Sequence, residues 1–165
     1  MALPLAYYLT WTTYGTWLPG DRRGWVSKHD AAYITPIKEP DPATEEAARE
    51  KMRSIPVRFD REKRRMVDAA IRGVCEHKGW ILHQLEVRSN HLHVIVSPGD
   101  VAPGRVMASL KAYASKVLNQ RFSPDKPSRW WTEDGSTRWL FDESSVVAAR
   151  KYVLTQDVSW LKHLE

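Results

Sequence analysis

The chain has 165 residues, the length of one ordinary domain, and we predict a single domain over residues 1–165. No apolar run is long enough for a membrane helix and no signal-peptide pattern is present, so we expect a cytosolic protein. One cysteine, Cys75, excludes an internal disulfide and a cysteine-based zinc cluster, whereas a net charge of +5 permits a polyanionic partner.

The first half of the chain predicts one strand and two helices. β-Branched and aromatic residues crowd the first segment and indicate a strand. A turn-rich stretch with two adjacent cations and a proline-rich excursion follow, and a long loop of this kind is often functional. The predicted elements are a strand over 5–14, a short helix over 41–52 with Thr44 as a candidate cap, and a longer helix over 60–78 that ends at Gly79.

The second half predicts a hairpin, a helix, a further strand and a final helix. These elements are a strand over 80–88, a tight turn at 89–90, a strand over 91–97, a helix over 102–120, an irregular segment over 122–134, a strand over 137–141, and a helix that Ser144 or Ser145 caps and that runs to about Gln156. With the short helix 41–52 left aside, the order β-α-β-β-α-β-α resembles a split βαβ, ferredoxin-like α+β fold with a central antiparallel sheet and helices packed on it.

Two histidines stand at alternate positions of the predicted strand 91–97. Strand side chains alternate between faces, so His91 and His93 share one face and Leu92 lies on the other. Two imidazoles that leave a rigid strand in parallel can reach one metal ion. A pair of surface histidines on a half-solvated sheet is the alternative, and spacing alone leaves both open.

A two-residue hairpin loop at 89–90 would place a carboxylate beside these histidines. In that register Arg88 pairs with His91 and Glu86 pairs with His93. Glu86 could then orient an imidazole or bind the metal itself, whereas a longer loop would turn it away.

The predicted helix 102–120 carries a tyrosine at the edge of its apolar arc. Tyr113 borders a narrow polar sector that contains Ser109, Lys116 and Gln120. A tyrosine in this place can project its phenol into a cleft above the sheet. By position alone, a packed ring with its hydroxyl in water is the favoured alternative.

Aromatic residues interleave with cations in segments predicted as loops. Single-stranded nucleic acid is bound by rings that stack on bases and by cations that pair with phosphates. The alternative is that at least half of the tryptophans fill the core. The candidate contacts are Trp17, Arg22, Arg23, Trp25, Lys111, Arg129, Trp130, Trp131 and Arg138.

The strand Asn90-His91-Leu92-His93, followed a helix later by Lys111-Ala112-Tyr113, resembles the HUH-type single-tyrosine transposases. These form the insertion-sequence-200-like group, and the likeness is greatest to the REP-associated tyrosine transposases of bacteria. The Thr-Trp-Thr-Thr-Tyr-Gly-Thr-Trp-Leu-Pro-Gly run of the first strand and the Trp-Trp-Thr and Gly-Ser-Thr runs near 131–137 extend the resemblance over most of the chain.

The resemblance implies a metal-dependent endonuclease and strand transferase that acts on single-stranded or hairpin DNA in the bacterial nucleoid. It implies that His91 and His93 hold Mg²⁺ or Mn²⁺, and that Tyr113 attacks the scissile phosphate to leave a 5′-phosphotyrosyl DNA. Mobile members work as dimers, whereas a REP-associated type acts as a monomer, so a homodimer is one of two open states.

One position departs from the family pattern. Related enzymes carry a third metal ligand, usually a glutamine one helical turn after the tyrosine, where this chain has Val117. Gln120 is the substitute candidate, with Glu86, Asn119 and water behind it, because Mg²⁺ prefers oxygen ligands. Lys116, one turn from the tyrosine, could stabilise a phenolate or contact a phosphate.

Two other functions stay open. The chain could be a non-catalytic binder of single-stranded nucleic acid, in which the histidines and Tyr113 stack on bases. It could also be a metal hydrolase with water as the nucleophile, which would stay active in Tyr113→Phe and form no covalent adduct.

Overall fold

A computed structural model describes residues 3–26, 36–127 and 129–155. Within these ranges, no helix is long and apolar enough to cross a membrane. The elements are β1 (Ala6–Thr13), α1 (Pro42–Glu50), α2 (Arg61–Lys78), β2 (Ile81–Val87), β3 (His91–Ser97), α3 (Pro103–Phe122), β4 (Trp131–Leu140) and α4 (Glu143–Thr155).

The four strands form one antiparallel sheet in the order β2-β3-β1-β4. The order and the α+β layout confirm the predicted ferredoxin-like arrangement, with the histidine strand β3 in the centre. The backbone N–H of Arg88 donates to the carbonyl of His91 at 2.8 Å, and Glu86 pairs with His93. These pairings confirm the predicted hairpin register. A two-residue turn at 89–90 allows only this register.

Alternate side chains of the sheet enter two separate cores. Leu9, Trp11 and Leu92 face α2 and α3 in the larger core. Tyr8 and Ile95 face α4 in the smaller one. Because side chains alternate along a strand, the histidines of β3 lie on the α4 face.

Two helix caps differ from the predictions. Asp41, not Thr44, caps α1, and its carboxylate accepts from the Thr44 backbone N–H at 3.3 Å. Asp142, rather than Ser144 or Ser145, accepts the Ser145 N–H at 2.8 Å at the start of α4. A carboxylate two or three residues earlier in the chain accepts from the open N–H groups, and its negative charge interacts favourably with the helix dipole, which a neutral hydroxyl does not.

Strand β4 is longer than predicted. It begins at Trp131 inside the segment predicted as irregular, because the Trp131 side chain is buried and its backbone pairs with Thr13. Cys75 lies in the core, with 2% of its surface exposed.

Candidate functional site

The two histidines of β3 lie side by side beneath α4. Thr10 of β1 pairs with His93 and Thr12 pairs with His91. The two imidazole centroids are 4.8 Å apart, with the rings nearly perpendicular at 86°. The rigid centre of the sheet therefore fixes both rings on one face.

His93 presents a buried nitrogen that no described group contacts. Its Nδ1 lies 2.7 Å from the Tyr8 hydroxyl and 3.3 Å from the Thr10 hydroxyl. Its Nε2 is buried without a hydrogen-bond partner in the described chain. Burial, with smaller effects from His91 and Arg88, lowers the pKa of His93 to about 3. A neutral imidazole with an unused buried nitrogen has the properties of a metal ligand.

His91 is oriented by its neighbour in the turn. Its Nδ1 lies 2.7 Å from Oδ1 of Asn90. An amide oxygen only accepts hydrogen bonds, so Nδ1 carries the proton and Nε2 keeps its lone pair. Burial, followed by the charges of Arg88 and Arg23, lowers the pKa of His91. Both imidazoles are therefore neutral and able to ligate at neutral pH.

Helix α4 brings a tyrosine to the histidines. The Tyr152 ring centroid is 6.1 Å from that of His93 and 6.4 Å from that of Tyr8. Tyr152 is half-buried, and burial raises the pKa of its phenol. His91, His93 and Tyr152 thus converge on one face of the sheet.

Tyr113 lies on the opposite side of the sheet from the histidines. The prediction that it stands beside them is therefore wrong for this chain. Helix α3 buries Leu110 and Ala114 against the other face, and Tyr113 is 42% exposed. Lys116 and Gln120 are exposed on the same helix, so the structure brings neither to the histidines. The reason is that the apolar arc of α3 fills the larger core and holds the whole helix on that face.

Glu86 stands beside His93 in the register, but its Oε2 lies 3.8 Å from Nη2 of Arg88. The described residues contain no cluster of three histidine, cysteine, aspartate or glutamate side chains that could hold a metal ion. Within the described chain, the two imidazoles are therefore the pair of such side chains brought together on this face of the sheet.

Two of the predicted base-stacking tryptophans are core residues. Trp130 and Trp131 are 5% and 7% exposed. Their indole N–H groups donate to Oδ1 of Asn119 at 2.7 Å and to the Ser115 hydroxyl at 2.9 Å. Lys111 donates to the backbone carbonyls of residues 132 and 133 and ties α3 to β4. These contacts serve packing, so the predicted stacking role of the two tryptophans does not fit the structure.

The other residues predicted to contact nucleic acid lie on the histidine face, in the loop after β1 or at the surface. Arg138 pairs with Tyr8 across β1 and β4 and lies on the histidine face. The Arg23 guanidinium stacks on Trp17 at 3.8 Å, and Lys38 lies 4.9 Å from the Trp25 ring centroid. Arg22 and Arg129 are exposed.

Residues 51–156 match the family model described as "Transposase IS200 like", which covers more than half of the chain. The chain belongs to the IS200-like transposase family. This membership assigns a transposase-type, DNA-processing function with DNA as the partner. The fold is similar to the crystal structure of a protein assigned as a transposase from Deinococcus radiodurans R1, at 14% identity and a TM-score of 0.46, over 94% of this chain and 93% of that chain. No curated protein matches the sequence.

A sequence signal at the end of the chain distinguishes the two tyrosines. Tyr152 is followed four residues later by Gln156, the spacing at which the resemblance implies a third ligand. Tyr113 has Val117 at that position. This spacing favours Tyr152, which was not among the predicted site residues. Gln156 itself lies outside the described residues.

Proposed function

We propose that this IS200-like transposase is a metal-dependent single-stranded DNA endonuclease and strand transferase with Tyr152 as its nucleophile. The observation that carries the proposal is the convergence of His91, His93 and Tyr152 on the α4 face of the sheet. Tyr113 lies on the opposite face of the sheet in the same chain, away from the histidines.

The donor set fits a divalent cation. Nε2 of His93 is buried and has no hydrogen-bond partner among the residues that the structure describes, and the hydrogen bond from His91 to Asn90 leaves the lone pair on Nε2 of His91. His91 and His93 would hold Mg²⁺ or Mn²⁺, and Gln156 is the proposed oxygen ligand from its spacing to Tyr152. Such an ion neutralises charge on the scissile phosphate and orients it.

Tyr152 would attack the phosphorus with its phenolic oxygen. The phenol gives up its proton as its oxygen bonds to phosphorus. The bond from phosphorus to the 3′-oxygen breaks, and the 3′-oxygen takes up a proton and leaves as a hydroxyl, so one proton is lost and one is gained. The product is a 5′-phosphotyrosyl DNA with a free 3′-hydroxyl. A second 3′-hydroxyl can attack this ester and release Tyr152, which transfers the strand without nucleotide hydrolysis.

Tyr8 is the other phenol near the histidines, but its surroundings favour a supporting role. It is 7% exposed and its hydroxyl contacts Nδ1 of His93 at 2.7 Å. Burial raises its pKa, so its phenolate is difficult to form. The Tyr8 hydroxyl instead holds the His93 ring, which leaves Tyr152 as the phenol at the more open side.

The test is a covalent-adduct assay with single-stranded hairpin oligonucleotides from the flanks of the gene. The purified protein is incubated with labelled DNA and Mg²⁺ or Mn²⁺, and denaturing electrophoresis separates protein-linked DNA. Wild type and Tyr113→Phe should both give an adduct. Tyr152→Phe, which keeps the ring and its packing, and wild type treated with a chelator should give none.

Each other outcome assigns a different function. An adduct lost in Tyr113→Phe and retained in Tyr152→Phe would overturn the assignment of the nucleophile. Cleavage that survives both substitutions would indicate a metal-activated water. DNA binding without adduct or cleavage would indicate a non-catalytic binding module.

A further inference from the structure

Arg88 lies opposite His91 in the β2–β3 hairpin with part of its guanidinium unsatisfied. Directly paired residues of antiparallel strands project to the same face, so its side chain lies on the histidine face. Its Nε is buried without a hydrogen-bond partner in the described chain, and its one ion pair there, with Glu86, is long at 3.8 Å. The Arg88 side chain is 41% exposed, so its outer guanidinium N–H groups, rather than the shielded Nε, are the donors that an oxygen-rich anion can reach.

Arg23 is held rigidly in the loop after β1. Its Nε and Nη2 donate to the two carboxylate oxygens of Asp21, both at 2.8 Å, and Nη2 also donates to the Thr16 carbonyl at 2.9 Å. One face of the guanidinium stacks on Trp17. These contacts use Nε and both N–H groups of Nη2, and no hydrogen bond in the described chain uses Nη1. The side chain is therefore preorganised, with Nη1 left to donate to an anion.

The loop is attached to the turn that carries His91. The Thr13 backbone N–H donates to the Asn90 carbonyl at 2.9 Å, and the Thr16 hydroxyl lies 3.5 Å from the same carbonyl. Asn90 in turn contacts His91, so three contacts join Arg23 to the imidazole, through Thr16 and Asn90. The charges of Arg88 and Arg23 both act on the pKa of His91, which agrees with this proximity.

We propose that Arg23 and Arg88 form a binding site for a backbone phosphate of single-stranded DNA, on the His91 side of the site. A guanidinium matches the geometry of phosphate oxygens and cannot lose its charge, which suits a backbone contact without base specificity. The phosphodiester held there lies next to the histidines, so the pair sets the strand in place for Tyr152. The inference rests on the proposed function and adds the two arginines that bind the DNA strand.

The test measures the salt dependence of binding, without metal and without cleavage. Fluorescence anisotropy gives the Kd of a labelled single-stranded oligonucleotide for Arg23→Gln, Arg88→Gln and Arg88→Lys. Each glutamine variant should raise Kd about tenfold, because a charge-assisted contact is lost. The slope of log K against log salt should fall by about 0.7, the value for one phosphate on a single strand. Arg88→Lys should keep the wild-type slope, and the control Arg72→Gln, an exposed arginine on α2 paired with Asp68, should change nothing.

A scan of neutral methylphosphonate linkages locates the phosphate. At one linkage the neutral group should weaken binding to wild type and have no further effect on Arg88→Gln. An unchanged slope in both glutamine variants, additive effects at every linkage, or absence of wild-type binding would overturn the site. A covalent adduct in wild type with an unchanged slope would overturn this site alone. A changed slope without any adduct would overturn the proposed nuclease function and keep the phosphate site.

Discussion

The hydroxyl of Tyr8 supports His93, and its removal should weaken both the fold and metal binding. Tyr8→Phe keeps the ring in the smaller core and deletes only the oxygen that contacts Nδ1 of His93 at 2.7 Å. This hydrogen bond is buried, so water cannot take the place of the lost hydroxyl. The Thr10 hydroxyl, 3.3 Å from the same nitrogen, compensates for part of the lost hydrogen bond.

The size of both effects follows from this geometry. Loss of one partner of a buried hydrogen bond lowers the free energy of unfolding by about 1–3 kcal/mol. Because the Thr10 contact remains, we expect a loss in the lower part of this range, about 1–1.5 kcal/mol. For a chain of this length that is a fall in Tm of about 2–6 °C. The same bond fixes the His93 ring that presents Nε2, and loss of such a partner weakens metal binding by about 10-fold to 100-fold. We expect the lower end, about tenfold.

Isothermal titration with Mn²⁺ and thermal unfolding of the metal-free protein give the two quantities. The matched control is Tyr7→Phe, because Tyr7 is the preceding residue, is 5% exposed, and faces the larger core on the other side of the sheet. That control should bind Mn²⁺ like wild type. Equal loss of affinity in both variants, or unchanged affinity in Tyr8→Phe, would refute the supporting role of Tyr8.

The remaining predictions concern the loop after β1, strand β4 and helix α2. Hydrogen bonds from Arg23 lower the pKa of Asp21 in the folded protein. The ionised carboxylate therefore stabilises the fold at pH values above its unfolded pKa of about 4. This stabilisation is lost as the pH falls through the lower pKa of the folded state. Asp21→Asn should therefore reduce the free energy of unfolding by about 1–2 kcal/mol at neutral pH, and urea titrations should show that the difference shrinks in acid. A Cβ on Gly135 would lie 2.5 Å from the carbonyl of Thr10, so Gly135→Ala should destabilise by about 1–3 kcal/mol. Gly73→Ala, at an exposed position of α2 where a Cβ would meet nothing within 4 Å, should instead stabilise by about 0.5–1 kcal/mol, and the same sign in both variants would contradict the steric argument.

Local patterns determined much of the fold. The hairpin register followed from the two-residue turn, which allows one pairing between Arg88 and His91. The end of α2 followed from Gly79, which adopts φ of 70°. The helix caps were less determined, because Asp41 and Thr44 both have cap side chains and only their backbone conformation distinguishes them.

The sequence by itself determined that two histidines share one face of a central strand, because that depends on strand alternation within a few residues. Only the tertiary structure decided which helix covers that face. Tyr113 and Tyr152 each lie on an amphipathic helix, and the pattern of either helix is satisfied by packing on one side of a sheet. The choice was made by the whole core: α3 packs with α2 against Leu9 and Leu92, which leaves α4 to close the histidine face and bring Tyr152 to His93.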